Sequence, residues 1–287
     1  MLSVERLEGN FGARISGVDL RRADEATMKS ILSALMEHRF VILPGQQFEN
    51  AEYVAFARRW GRPVHLISRR NVREDFPEMI VQGNPAATPE FKRNVANHWH
   101  CDSSYEEEYA TTTMLYGIES PEHGGETLFA DLAGAFAALS AEDQARYRKM
   151  MVWHGTSKAT MLPDESNSSY DRLPPEYQKD MVVLDHVKHP LVVEHPIAHR
   201  PALYGLGGSS YAIEGMDEAE GAELLLKLRR YATQDRFMSQ CKLMPGDVLI
   251  WDNLSLMHRA TPIEYSDAPG ERRLNYRISL KGLPEFA

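Results

Sequence analysis

His100 and Asp102 flank Cys101, and far downstream His258 precedes a strand-like tail that carries Arg273 and Arg277. In an extended segment residues i and i+2 project from one face, so this triplet can offer one metal ion an imidazole nitrogen and a carboxylate oxygen. A His from a distant strand would complete a set of two His and one carboxylate. That set leaves the opposite coordination positions open and is associated with non-haem Fe(II) oxygenases, whose iron must accept both an organic co-substrate and O2. A His two before an Asp is by itself a short pattern, compatible with a purely structural histidine. Of the 11 His, however, only His100 is followed at i+2 by an acid, and it sits in the run Asn97-His98-Trp99-His100-Cys101-Asp102-Ser103-Ser104-Tyr105.

The elements that would position these residues can be read from periodicity and turn chemistry. Phe11 to Leu20 reads as a short strand and turn, and Asp24 to His38 has helical spacing of Met28, Ile31, Leu32 and Leu35. Val41-Ile42-Leu43 is a buried strand ended by Pro44-Gly45, followed by a helix over Ala51 to Trp60 stopped by Gly61. Thr111 to Gly117 is rich in β-formers, a loop spans Ser120 to Gly125, and Glu126 to Phe129 is a strand. Asp131 and Ser140 are placed to cap helices, and a further helix covers Met216 to Thr233. The end is β-like: a turn at Met244-Pro245-Gly246-Asp247, a strand at Val248 to Trp251, a turn at Asp252-Asn253, and a last strand from Arg273 to Leu280. Two polar stretches, 63–97 and 157–180, read as loop insertions in a single domain spanning 1–287.

Composition narrows the classes. With 287 residues, 43% hydrophobic and 25% charged, the chain can bury a substantial core. A net charge of −9 and the lack of a basic run argue against nucleic acid and anionic membrane as partners. Cys101 and Cys241 are too few for a disulfide framework or a cysteine-based zinc site, which indicates a reduced compartment. Neither the first residues nor any later run has the apolar length of a signal peptide or a membrane span, so the expectation is a cytoplasmic protein.

Several motifs in order resemble one family: Gly12 to Leu20, Trp99-His100-Cys101-Asp102, Gly124-Gly125-Glu126-Thr127, Glu214-Gly215-Met216, Trp251-Asp252-Asn253 with His258-Arg259, and finally Arg273 and Arg277. On them the chain is identified as a member of the taurine and 2,4-dichlorophenoxyacetate dioxygenase (TauD/TfdA) family of Fe(II)- and 2-oxoglutarate-dependent oxygenases. The resemblance implies a mainly β fold with flanking helices, a double-stranded β-helix or cupin-like jelly roll. It implies Fe(II) held by His100, Asp102 and His258, with 2-oxoglutarate and O2 as co-substrates. It assigns the distal carboxylate of 2-oxoglutarate to Arg273, whose planar guanidinium can grip both oxygens, together with the hydroxyl of Thr127. The interval from His258 to Arg273 is longer than in the family, with Ser266 to Gly270 as added loop, so Arg272 competes for the role. Arg273 is preferred because Arg277 then follows four residues later, as in the family pattern.

By the same resemblance Arg277 would contact a sulfonate or carboxylate, and His65 and His98 are further substrate candidates. The function expected is hydroxylation of a small anionic substrate, such as an aryloxyalkanoate, with succinate and CO2 as co-products. Two alternatives are a biosynthetic oxygenase of an amino-acid derivative and a non-catalytic jelly roll that binds a metal or small acid. Asp102, where a halogenase would need a small residue, argues against halogenation. Relatives suggest a dimer or tetramer. Cys101, Trp99, Trp251 and Tyr116 read as packed residues, and His123, His154, His186, His189, His195 and His199 lack ligand spacing.

Overall fold

In strand β14 (Val248–Asp252) every residue is buried, because both faces of the strand are covered. Val248 and Ile250 join the apolar layer beneath helices α1 (Glu25–His38) and α2 (Asn50–Arg58), while Leu249 and Trp251 point to the opposite side. The same period-two division runs through β3 (Phe40–Leu43) and β6 (Thr112–Glu119): Val41, Leu43, Met114 and Tyr116 face the helices, Phe40, Ile42 and Leu115 the interior. The computed structural model describes residues 2–64, 72–90, 93, 96–155 and 186–287.

These strands belong to a sheet ordered β1 (Ser3–Arg6), β2 (Ala13–Ser16), β3, β14, β6, β16 (Leu274–Lys281) and β4 (Arg62–Pro63), with β5 (Ile80–Gly83) also paired to β16. Facing it is a sheet in which β7 (Thr127–Asp131) lies between β13 (Met238–Cys241) and β15 (Leu256–Ala260). Phe129, Cys241 and Leu256 from this sheet meet Phe40, Leu115 and Trp251 from the other, with Phe40 and Phe129 stacked at 4.8 Å between ring centroids. Two sheets closed on one interior make the jelly roll expected from the sequence.

Behind β7, a third apolar layer gathers α3 (Leu132–Ala137) and α5 (Glu218–Ala232) with β8 (Met151–His154), β10 (Val192–Glu194), β11 (Pro201–Leu203) and β12 (Ser210–Ile213). Between α3 and β8 lies α4 (Ala141–Tyr147), capped by Ser140 as expected, and β9 (Val187–Pro190) pairs with β8. The polar stretch 63–97 is not all loop, since β5 lies within it and pairs with β16. The stretch 157–180 lies outside the described residues, within which no helix is long and apolar enough to cross a membrane.

His154 ends β8 fully buried, with neither ring nitrogen hydrogen-bonded among the described residues, against the rings of His189 and Tyr204. Burial, with the adjacent His189 second, pushes its pKa down to about 3. Between about 3 and the unfolded value of about 6.5, the unfolded chain binds a proton that the folded chain refuses. This stability is complete above about pH 6.5 and is lost as pH falls, at up to about 1.4 kcal/mol per pH unit. His154→Leu is therefore expected to flatten the fall in urea midpoint between pH 6.5 and 4. An unchanged slope would contradict the assignment.

Candidate active site

The sequence pattern suggested an extended strand through His100 and Asp102, but the chain is extended only at His100. His100 forms a single antiparallel bridge with His258 of β15: His100 N–H donates to His258 O at 3.0 Å and His258 N–H to His100 O at 2.9 Å. Residues paired in this way present their side chains on one face, and the two imidazole centroids lie 4.2 Å apart. Asp102 is already in a turn, followed by Ser103 at φ 55°. The turn carries the carboxylate back toward the two rings. His100 Nε2 lies 3.9 Å from Asp102 Oδ1 and His258 Nε2 lies 3.9 Å from Asp102 Oδ2. Ligand-capable atoms of the three residues all fall within 4.8 Å of one another.

Protonation suits a metal. His100 Nδ1 is 2.9 Å from His98 O, which can only accept, so Nδ1 carries the hydrogen and Nε2 keeps its lone pair. Burial, then the neighbouring His258, brings His100 down to about 3 against the pull of Asp102. Burial likewise brings His258 down to about 4, with Asp102 again opposing. Both rings are neutral at neutral pH. Burial alone would raise the Asp102 carboxyl, yet Arg277, His258, His100 and the Thr113 hydroxyl together hold it below the usual carboxylate range. Two bare imidazole nitrogens and an ionised carboxylate are a donor set that fits ferrous iron.

Asp102 is fixed at every polar atom. Thr113 Oγ1 donates to Oδ2 at 2.7 Å, Ser279 Oγ lies 3.4 Å from the same oxygen, and Arg277 donates to Oδ1 at 3.2 Å. Its backbone forms a reciprocal pair with the Asn253 amide: Asp102 N–H donates to Oδ1 and Asn253 Nδ2 to Asp102 O, each at 3.0 Å. Thr113 and Ser279 are register partners on β6 and β16, so the inward face of the larger sheet turns from apolar to polar where it reaches the triad.

Arg273, Asn275, Arg277 and Ser279 share one face of β16 and its approach. The two adjacent arginines run in different directions: Arg272 turns outward to Glu119 at 3.0 Å, whereas Arg273 runs beside Gly125. Burial lowers the pKa of Arg273, with Tyr265, Cys241 and Glu126 opposing. The Asn275 amide, oriented by its network, accepts from Arg273 Nε at 3.1 Å. Asn84 holds the longer loop at both ends: it donates to Glu264 O at 2.6 Å and Glu271 O at 2.9 Å and accepts from Arg273 N–H at 2.6 Å. Thr127 is buried and pairs with Ala260 of β15; it lies two before Phe129, on the interior face that also bears His258.

His98 lies beside the triad, its ring 5.0 Å from that of His100. His65, with Arg69 and Arg70, lies outside the described residues. Sequence reasoning missed Thr113, Ser279, Asn84 and Gly207, and named Asn253 only as part of a motif. Ser279 carried a signal, being two residues after Arg277 on a strand. Asn84 carried none, because its partners lie about 180 positions away in the chain.

The family described as Taurine catabolism dioxygenase TauD, TfdA family matches residues 3–278. The chain belongs to this family. It is 29% identical over 286 residues to an (S)-phenoxypropionate/alpha-ketoglutarate dioxygenase of Sphingobium herbicidovorans, covering 97% of this chain and 94% of that protein. It is 28% identical to an alpha-ketoglutarate-dependent sulfate ester dioxygenase of Pseudomonas putida, covering 98% and 90%. A taurine dioxygenase structure from Burkholderia xenovorans superposes with a TM-score of 0.77 at 28% identity, covering 98% of this chain and 91% of that one. This TauD/TfdA enzyme is a 2-oxoglutarate-dependent dioxygenase that uses Fe(II), 2-oxoglutarate and O2.

A Cβ on Gly207 would lie 2.7 Å from His100 Cα and 2.8 Å from Trp99 O, so the segment at Gly207 presses on the backbone that presents His100. Gly207→Ala is expected to displace that backbone and weaken Mn(II) binding, used as an air-stable probe, by about tenfold. Unchanged binding would show that the contact does not set the ligand position.

Proposed function

We propose that His100, Asp102 and His258 hold Fe(II), that Arg273 and Thr127 receive 2-oxoglutarate, and that Arg277, with His98 beside it, receives the acidic group of a small substrate. The observation that carries this reading is the placement of two guanidinium groups four residues apart, on one face of β16 and its approach. One is enclosed near Gly125 and the other reaches Asp102. A single anion would not require both. Arg273 offers a charged fork held by the Asn275 amide, suited to the distal carboxylate of a dicarboxylic acid. Arg277 keeps a buried Nε–H with no partner among the described residues, a donor in reserve for a second anion.

The bound iron and co-substrates supply oxidative decarboxylation to succinate and CO2, coupled to oxidation of the organic substrate. The protein's part is orientation. The His98 carbonyl orients the His100 ring and the backbone bridge sets His258 beside it, while Thr113, Ser279 and Asn253 fix the carboxylate. Arg277 lies within hydrogen-bond distance of Asp102, so an anion received there would sit beside the metal ligands, which favours oxidation close to the acidic group. The named substrates of the relatives, phenoxypropionate and sulfate esters, have this form, and an aryloxyalkanoate is the first choice here. Two free buried thiols, Cys101 and Cys241, support a reducing, cytoplasmic setting.

The test is succinate release from 2-oxoglutarate across a panel of aryloxyalkanoates, alkyl sulfonates, sulfate esters and matched uncharged analogues. Anionic compounds are expected to stimulate turnover and uncharged analogues not. Arg277→Lys, which keeps a positive charge beside Asp102 but loses the planar fork, should raise KM for the responding anion by about tenfold, the loss expected for a charged hydrogen bond of about 1.5 kcal/mol. Equal stimulation by uncharged analogues would contradict the reading.

A further inference from the structure

We propose that His195 is a positioning residue for the iron carboxylate, acting on Asp102 through Asp252 and Asn253; this rests on the reading of Asp102 as an iron ligand. His195 lies in the connection between β10 and β11, and it is buried. Its Nδ1 accepts from Ile197 N–H at 3.1 Å and from Ala198 N–H at 3.0 Å. A nitrogen that accepts twice carries no hydrogen. The ring hydrogen is therefore on Nε2, which lies 3.2 Å from Asp252 Oδ1.

That single oxygen of Asp252 also accepts from Leu254 N–H at 3.0 Å and Ser255 N–H at 3.3 Å. It thus gathers the turn that follows β14, and Asn253 is the turn's first residue. Asn253 is wholly buried (0% exposed), and among the described residues its amide bonds to the backbone around the site. It holds Asp102 N–H and Asp102 O, and donates to Ala110 O at 2.7 Å. A continuous path leads from the imidazole of His195 to the peptide that carries the metal carboxylate: hydrogen bonds at Asp252 and at the Asn253 amide, joined by the covalent backbone of the turn between them. A buried His–Asp pair is a poor way to gain stability, since apolar residues of equal volume serve as well or better. Orientation is what the pair adds: it selects one carboxylate rotamer for Asp252 and so one setting of the Asn253 turn.

Two substitutions separate orientation from simple packing. In His195→Asn the short amide can keep the acceptor for Ile197 and Ala198 N–H but cannot reach Asp252. In His195→Gln the longer amide can keep the donor to Asp252. Mn(II) binding to the purified full chain, followed by the paramagnetic resonance of the free ion, gives an activity-independent readout. Relative to wild type, His195→Asn is expected to raise the Mn(II) Kd by about 10- to 100-fold, the range for partners beyond the ligand shell. His195→Gln is expected to stay close to wild type even if both variants melt at the same lower temperature. Should His195→Asn not fold, His195→Ser, whose hydroxyl can accept from the same two N–H groups, takes its place. Wild-type Kd in the Asn or Ser variant, or equal weakening by Asn and Gln, would overturn the proposal. Failure of wild type to bind Mn(II) would instead overturn the metal reading on which it stands.

Discussion

The constraint on which the site depends is a negative charge held where water cannot reach it. Asp102 is almost fully buried, and an isolated carboxylate there would take up a proton and cease to be a useful ligand. Removing one partner of a buried ion pair costs about 3–5 kcal/mol, whereas an ordinary hydrogen bond contributes about 0.5–1.5 kcal/mol. Charge compensation by Arg277 therefore outweighs the hydroxyls of Thr113 and Ser279, which chiefly fix the carboxylate's orientation. Much of the surrounding architecture follows. β6 and β16 must be neighbours to bring Thr113 and Ser279 together, and β15 must lie opposite them to bring His258 within reach.

The jelly roll meets this demand by dividing one interior into two regimes. At one end aromatic and aliphatic residues from both sheets interlock, as in the Phe40–Phe129 stack. At the other end the same inward faces carry polar side chains, among them Thr113, Ser279, Arg277 and His258. Trp251 lies at the boundary, packed against Phe129 on one side and against the His258 ring, with centroids 4.8 Å apart, on the other. A strand period of two delivers Asn275, Arg277 and Ser279 to a single surface, while Arg273, just before β16, is held there by Asn84.

Much of this was legible in the sequence because it is periodic or local. The Met28, Ile31, Leu32 and Leu35 spacing marked α1, whose buried residues include all four, and Asp131 caps α3 as its position suggested. The triad was legible from residue type, although the geometry that unites it is a one-residue bridge and a turn and not the strand that the pattern suggested. What escaped is non-local. Asn84 acts on Arg273, and Asn253 acts on Asp102, across more than 150 positions of chain. A side-chain amide that serves distant backbone leaves no trace in local hydrophobic pattern or spacing. His195 was set aside for lacking ligand spacing, and its partner is Asp252 and not a metal-facing group.

The central claim is that His100, Asp102 and His258 form one iron site next to an Arg273 pocket for 2-oxoglutarate. It is tested most directly by anaerobic titration of the apoprotein with Fe(II) and then 2-oxoglutarate, following the weak visible charge-transfer absorption of a chelated keto acid. The account predicts the band in wild type, its loss in His100→Ala, and its recovery in Arg273→Ala only at much higher 2-oxoglutarate. Folded, iron-replete wild type without the band, or a band that survives in His100→Ala, would contradict it.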